Sequence, residues 1–322
     1  MYPPCGYDPF RNKTITVPAA STILMIRPAA FGYNDETAAN NFFQHHPEIN
    51  REALQEMALA EFDAMVEILR QQEVDVLVLP DSKDPPKPDA VFPNNWLSTS
   101  PDGKIFIYPM FAANRRTEKR DELLKELADL FIVSDVQDWS EYEAEGRFLE
   151  GTGSMVIDHE HEMIYAAISE RTSLAVLEKF ASGNGFQAIV FLATDTEGKP
   201  VYHTNVVMAL GEKFAVLCEE AIEEEWELIA VTQLLESSHH TIISITRDQM
   251  YAFAGNMLEI KNWKGESLIV LSQTAMEALR PDQLKQLETF GKLIPVSVPT
   301  IEKVEGGSVR CMMAEIFLKR KN

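Results

Sequence analysis

The stretch that decides the fold is Glu305-Gly-Gly-Ser-Val-Arg-Cys311-Met-Met-Ala-Glu-Ile-Phe-Leu318, close to the end of a 322-residue chain. A glycine-rich turn leads to a cysteine and then to one apolar run of strand length, Met312–Leu318. A single strand with a bare edge is a liability, so its partners must stand elsewhere. They are found at the opposite end: a strand over Thr22–Ile26, a helix over Arg51–Gln71 with Leu54, Ala58, Phe62, Met65 and Leu69 at helical spacing, and a strand over Val74–Leu79. Pairing the terminal strands would complete one unit from both ends of the chain.

Between these ends one layout recurs: a short motif, a strand, a turn, a second strand, a helix and a third strand. After Asn94-Asn95-Trp96 come the Pro101-Asp102-Gly103 turn, the strand Lys104–Tyr108, a helix over Glu118–Leu130 and the strand Phe131–Val136. After Glu150-Gly-Thr-Gly come strands over Ser154–Ile157 and Met163–Ile168, the helix Thr172–Phe180 and the strand Gln187–Leu192. After His203-Thr-Asn come Val206–Leu210, Phe214–Leu217, the helix Ala221–Leu235 and Thr241–Thr246. After Asn256-Met-Leu come Leu268–Leu271, the helix Pro281–Phe290 and Leu293–Val298. The motif residues Asn95, Glu150, His203, Asn256 and Cys311 stand 55, 53, 53 and 55 residues apart. The expectation is an α/β ring of five pseudosymmetric units, with a tail over residues 1–20 and a single catalytic domain over 21–322. A linear α/β domain with chance agreement in unit length stays open.

Composition narrows the function. Fifty acidic against 29 basic residues give a net charge of −21, which repels nucleic acid and anionic membrane alike. The longest uncharged stretch, Phe180–Thr194, is 15 residues and broken by Ser182, Gly183, Asn184 and Gly185, short of the roughly 20 apolar residues a membrane helix needs. Met1-Tyr-Pro-Pro-Cys-Gly lacks the layout of a signal peptide. Three distant cysteines, Cys5, Cys218 and Cys311, make neither a disulfide framework nor a metal site. The expected protein is soluble and cytoplasmic with free thiols; a homodimer is allowed.

Cys218 lies in the apolar Ala215-Val-Leu-Cys and reads as core. Cys311 differs, because a Gly-Gly-Ser turn lets backbone approach a ligand and Arg310 offers charge beside the thiol. His203 is the candidate base and Glu150 the carboxylate that orients it, although Glu150 could instead cap the Gly151-Thr152-Gly153 turn. His159 and His161 fall in an apparent exposed turn, and His45-His46 and His239-His240 read as surface. No metal site and no cofactor motif is found.

These residues resemble the guanidino-group-modifying enzymes of the pentein fold: arginine deiminases, dimethylarginine dimethylaminohydrolases, agmatine deiminases and glycine amidinotransferases. The resemblance runs from Met25-Ile26-Arg27-Pro28 to Cys311 and is strongest to the amidinotransferase-like citrulline-utilisation hydrolases. It is carried by Phe92-Pro-Asn-Asn-Trp96, Leu149-Glu-Gly-Thr-Gly-Ser154 and Tyr202-His-Thr-Asn-Val206. It implies a five-bladed β/α propeller with Cys311, His203 and Glu150 as catalytic residues and without cofactor. Asn95, Asn94 and Asn205 would then bind substrate, and Arg116 matches a position near the substrate's carboxylate. Asn95 and Asn205 replace aspartates common in relatives, and some relatives with this first asparagine are dihydrolases. An amide serves both the C=O and the NH2 of a neutral ureido group, whereas a guanidinium prefers carboxylates. The function expected is cysteine-dependent hydrolysis of citrulline or arginine to ornithine and ammonia, with protonated His203 aiding the departing amine. Arginine deiminase or amidinotransferase activity is the alternative, and a non-catalytic pentein binder the more distant one.

Overall fold

The computed structural model of the protein describes residues 18–321. Cys5 and most of the expected tail lie outside the described residues. At the start of what is described, the Ala19 amide donates to Glu212 at 2.8 Å and the Ala20 carbonyl accepts from Lys261 at 2.9 Å.

Among the described residues fifteen strands form five three-stranded sheets. In chain order, β1 (Thr22–Arg27) and β2 (Asp75–Pro80) run parallel, joined by the helix Arg51–Gln71. The next sheet is β3 (Leu97–Thr99), β4 (Lys104–Ile107) and β5 (Asp135–Asp138), followed by β6 (Val156–Asp158), β7 (Met163–Ala167) and β8 (Gln187–Phe191). Then come β9 (Met208–Leu210), β10 (Phe214–Leu217) and β11 (Thr241–Ser244), and β12 (Leu258–Lys261), β13 (Ser267–Ser272) and β14 (Lys292–Val296). In each, the first strand pairs antiparallel with the second, and the second parallel with the third across a helix. The middle strand is therefore covered on both faces: all five residues of β7 are buried.

The first sheet obeys the same plan by borrowing. Its antiparallel strand is β15 (Ala314–Ile316), paired with β1 as Thr22↔Ile316, Ile23↔Glu315 and Leu24↔Ala314. The two ends of the described chain meet in one sheet, as the sequence led one to expect. Ile316 and Leu318 pack with Leu24, Ile26, Trp96 and Leu97 in one apolar cluster.

Several boundaries move. The helix expected from Glu118 begins at Asp121, after a 3₁₀ turn Asn114–Glu118, and the strand expected over Phe131–Val136 is Asp135–Asp138. Phe131 instead bridges to Arg320, so its apolar side chain serves the terminal seam. The starts expected at Ser154 and Val206 are helical turns, Gly151–Ser154 and Thr204–Val207. The helix Pro299–Glu305 was missed; Glu61 on the Arg51–Gln71 helix caps it, accepting from the Thr300 and Ile301 amides at 2.9 to 3.1 Å. Among the described residues no helix is long and apolar enough to cross a membrane.

Candidate active site

Each sheet is entered through a short buried turn, and these turns hold the five evenly spaced residues. Asn95, Glu150, His203, Asn256 and Cys311 are all buried. The turns also touch one another. Thr204 Oγ1 donates to Ser154 O at 2.6 Å, Asn256 Nδ2 to Asn205 O at 2.9 Å, and the Arg310 amide to Asn256 Oδ1 at 3.1 Å. At Gly153 a Cβ would stand 2.6 Å from Asn95 Nδ2 and 2.7 Å from His203 Nδ1, so only glycine lets the second turn slide between the first and third.

Glu150 and His203 form the core of the site. His203 Nε2 donates to Glu150 Oε2 at 2.8 Å, and Glu150 Oε1 accepts from the Phe111 amide at 2.9 Å. Arg171 Nη1 lies 3.6 Å from the same Oε2 and is held by Asn40 Oδ1 and the Thr37 carbonyl. Burial raises the Glu150 pKa, but Arg171 and the His203 hydrogen bond outweigh it and bring it to about 2. Burial is likewise the largest influence on His203, and with Arg171 and Arg115 nearby it overcomes Glu150 and lowers the imidazole to about 4. The resting pair is a carboxylate with a neutral imidazole. The carboxylate's charge is shared with Arg171, so His203 can be protonated only after it takes up a proton during the reaction. With Nε2 donating, Nδ1 keeps its lone pair on the side of Gly153 and Asn95.

The same numbers fix a pH dependence. The unfolded imidazole titrates near 6.5 and the folded one at about 4, so the unfolded chain binds more protons in that window. This contribution is complete above pH 6.5 and lost as pH falls to about 4, worth about 3 kcal/mol. Glu150 adds a further loss between 4.5 and about 2. Chemical denaturation at pH 7 and pH 4 checks this. The parent should lose about 3 kcal/mol more than His203→Gln across that interval, and equal losses would assign the titration to another group.

Cys311 Sγ rests on two carboxamides, Asn256 Nδ2 at 3.4 Å and Asn205 Nδ2 at 3.6 Å. Among the described residues no hydrogen bond joins it to His203. Arg310 does not serve the thiol either: its guanidinium turns to the Met313 carbonyl and Glu315, each at 2.9 Å. Asn95 Oδ1 accepts from Arg115 Nη1 at 2.8 Å, and Asn95 Nδ2 donates to Asn94 Oδ1 at 3.1 Å. Asn94 reaches Thr152 at 3.2 Å and ties the first turn to the second. Arg116 stands apart, with Nε and Nη2 on the Met110 and Phe111 carbonyls, Glu143 at 3.6 Å and Phe148 beneath its guanidinium.

Arg115 is the arginine of this pair that enters the site, gripped by Glu118 at 2.8 and 2.9 Å and flanked by Asp89 at 3.4 Å. Neighbouring arginines in a 3₁₀ turn face different ways, and nothing in Asn114-Arg115-Arg116 marks which faces inward. Burial raises Glu118 to about 7 against the pull of Arg115. Burial and the nearby Asp89 carboxylate raise Glu305 well above the carboxylate range. Asp89 ends a Pro-rich connector that reads as a linker, and Arg171 carried no signal in the sequence; Asn256 alone of the missed residues had one, its even spacing. His159 and His240 correct the surface reading. His159 is half-buried against Phe186 and Phe317, and His240 is buried with Nδ1 2.8 Å from Ser238 Oγ.

Residues 27–318 match a sequence profile described as N,N dimethylarginine dimethylhydrolase, eukaryotic. No curated protein sequence matches the chain. Among solved structures, apo ArgZ, an arginine dihydrolase from the ornithine–ammonia cycle in cyanobacteria, superposes with a TM-score of 0.70 at 15% identity. That match covers 91% of this chain but 40% of ArgZ, so the chain spans less than half of that relative's length. A variant of the N-terminal domain of ArgZ, covalently bonded to a reaction intermediate, gives 0.70 at 15% identity over 91% of this chain and 97% of that domain. A variant dimethylarginine dimethylaminohydrolase, as an adduct with S-methyl-L-thiocitrulline, gives 0.64 at 18% identity over 92% and 100%. At these identities the likeness is one of fold.

Proposed function

The chain belongs to the N,N dimethylarginine dimethylhydrolase family, a family of hydrolases acting on C–N bonds, and from that membership we propose that it hydrolyses a ureido or guanidino amino acid, citrulline or arginine, through a covalent adduct on Cys311. The observation that carries this reading is the 2.8 Å Glu150–His203 hydrogen bond, buried in turns that also hold Cys311 on two carboxamides. The five sheets are read as blades of a β/α propeller, with the station turns around its axis and the segment from residue 21 onward acting as one catalytic unit. The free, buried thiols of Cys218 and Cys311 suit a reducing compartment such as the cytoplasm.

In the proposed reaction the Cys311 thiol gives up its proton to His203 Nδ1 as its sulfur attacks the central sp2 carbon of the head group. The protonated imidazole, which Glu150 stabilises, passes that proton to the departing amine as the C–N bond breaks. This leaves a thiouronium from a guanidino substrate or a thiocarbamate from a ureido one. Water then adds to the same carbon with its proton going to His203, and the C–S bond breaks as the thiolate leaves. A guanidino substrate yields the ureido product, and a ureido substrate yields a carbamic acid that loses CO2 as its remaining C–N bond breaks, giving ornithine and ammonia.

Charge balance favours the neutral head group. Arg115 already faces Asp89 and Glu118, and Arg171 faces Glu150. The remaining contacts are amides, and amides serve a ureido group at no electrostatic cost. Asn95→Asp should therefore shift the citrulline-to-arginine preference toward arginine by roughly ten- to hundredfold, the range for gaining or losing a hydrogen bond to a charged group. The check is to incubate the parent and this variant with each amino acid and quantify ornithine, citrulline and ammonia. Ornithine from both substrates supports the dihydrolytic reading, arginine stopping at citrulline indicates a deiminase, and no product from either would remove the proposal.

A further inference from the structure

We propose that Asn256 is a catalytic residue whose side-chain N–H stabilises the Cys311 thiolate, an inference that rests on Cys311 being the nucleophile. Of the five evenly spaced residues it is the one to which the sequence assigned no chemistry. Its carboxamide has a fixed orientation: Oδ1 accepts from the Arg310 amide at 3.1 Å, and Nδ2 donates to the Asn205 carbonyl at 2.9 Å. A backbone amide can only donate and a backbone carbonyl can only accept, so the NH2 end must face Asn205 O and, at 3.4 Å, Cys311 Sγ. The turn that carries it is pressed against its neighbour, because a Cβ at Gly255 would stand 2.2 Å from the Val206 carbonyl. Asn205 Nδ2 completes a pair of neutral donors at 3.6 Å.

The groups around the thiol give this donor its weight. Arg310 is turned to Met313 and Glu315, and the imidazole is engaged with Glu150. A cation beside Sγ would also compete with a guanidinium for the same space. Amide N–H groups support the thiolate's charge without adding one of their own, and they favour the anion because a thiol sulfur accepts hydrogen bonds only weakly.

The test needs no substrate: alkylation of Cys311 by iodoacetamide at pH 7, followed by mass spectrometry, with Cys218 as internal reference. Asn256→Asp keeps the acceptor for the Arg310 amide and the shape of the side chain, but replaces the donor with a like charge. Asn256→Ala removes both. Donation to the thiolate predicts alkylation slowed roughly tenfold in Ala and more in Asp, from the loss of a hydrogen bond to a charged acceptor. A residue that only braced the loop would give the reverse order, with Asp close to the parent, and that result overturns the proposal. If the Asp variant does not fold, the Ala variant decides alone, and a rate within about twofold of the parent rejects the donor. A parent in which Cys311 reacts no faster than Cys218 overturns the nucleophile reading itself, and this inference with it.

Discussion

Cys311→Ser should lose at least roughly 10³-fold in turnover while its melting curve stays with the parent. A serine hydroxyl is far weaker as an acid than a thiol, and what stands beside this position is two carboxamides, which donate hydrogen bonds but remove no proton. The change is also small in volume, and the turn is held by its backbone, with the Cys311 amide on the Ser308 carbonyl at 2.9 Å. Cys218→Ser is the control. That residue directly follows the strand β10 and packs among apolar neighbours, and burial raises its thiol to about 11. A polar hydroxyl there should cost stability and leave chemistry intact. Steady-state kinetics and thermal melts on both variants decide the matter. Full activity in Cys311→Ser, or loss of activity in a folded Cys218→Ser, would move the nucleophile elsewhere.

Deleting everything after Ala314 should unfold the protein rather than trim it. The deletion removes two of the three residues of β15 and, with Ile316 and Leu318, two buried side chains worth roughly 1.5–3 kcal/mol each. It also removes seams on either side. Thr99 Oγ1 donates to the Glu315 carbonyl at 3.0 Å and accepts from the Phe317 amide at 2.8 Å, the Ile132 amide donates to Lys319 O at 2.8 Å, and Arg320 pairs with Asp75 at 2.7 Å. Against a typical domain stability of about 5–15 kcal/mol, that loss is most or all of the total. Expression, solubility and a thermal melt of the truncated chain provide the measurement; a soluble product melting with the parent would show that the terminal pairing is dispensable.

The repeat spacing, a property of the chain itself, was enough to find five units, their order and the pairing of the terminal strands. It found the Arg51–Gln71 helix because five apolar residues at helical spacing face one way. It also picked out Glu150, His203 and Cys311, because equal spacing in a repeat puts equivalent residues at equivalent places. Local pattern failed where long-range packing decides. Phe131 reads as strand but closes a seam with Arg320, and the starts of two units, expected as strands, are helical turns. The contacts of Arg115, Arg171 and Asp89 in the site and of Asn256 with Cys311 became visible only in three dimensions. Each of these residues lies far along the chain from a group it serves, as Arg171 does from Asn40 and Asn256 from Cys311. The protonation state of His203 belongs to the same class. Sequence supplied the imidazole and its carboxylate, but burial and the charge of Arg171 set which of the two holds the proton. Desolvation and Coulombic coupling depend on distance through space, and the order of residues along a chain does not record that distance.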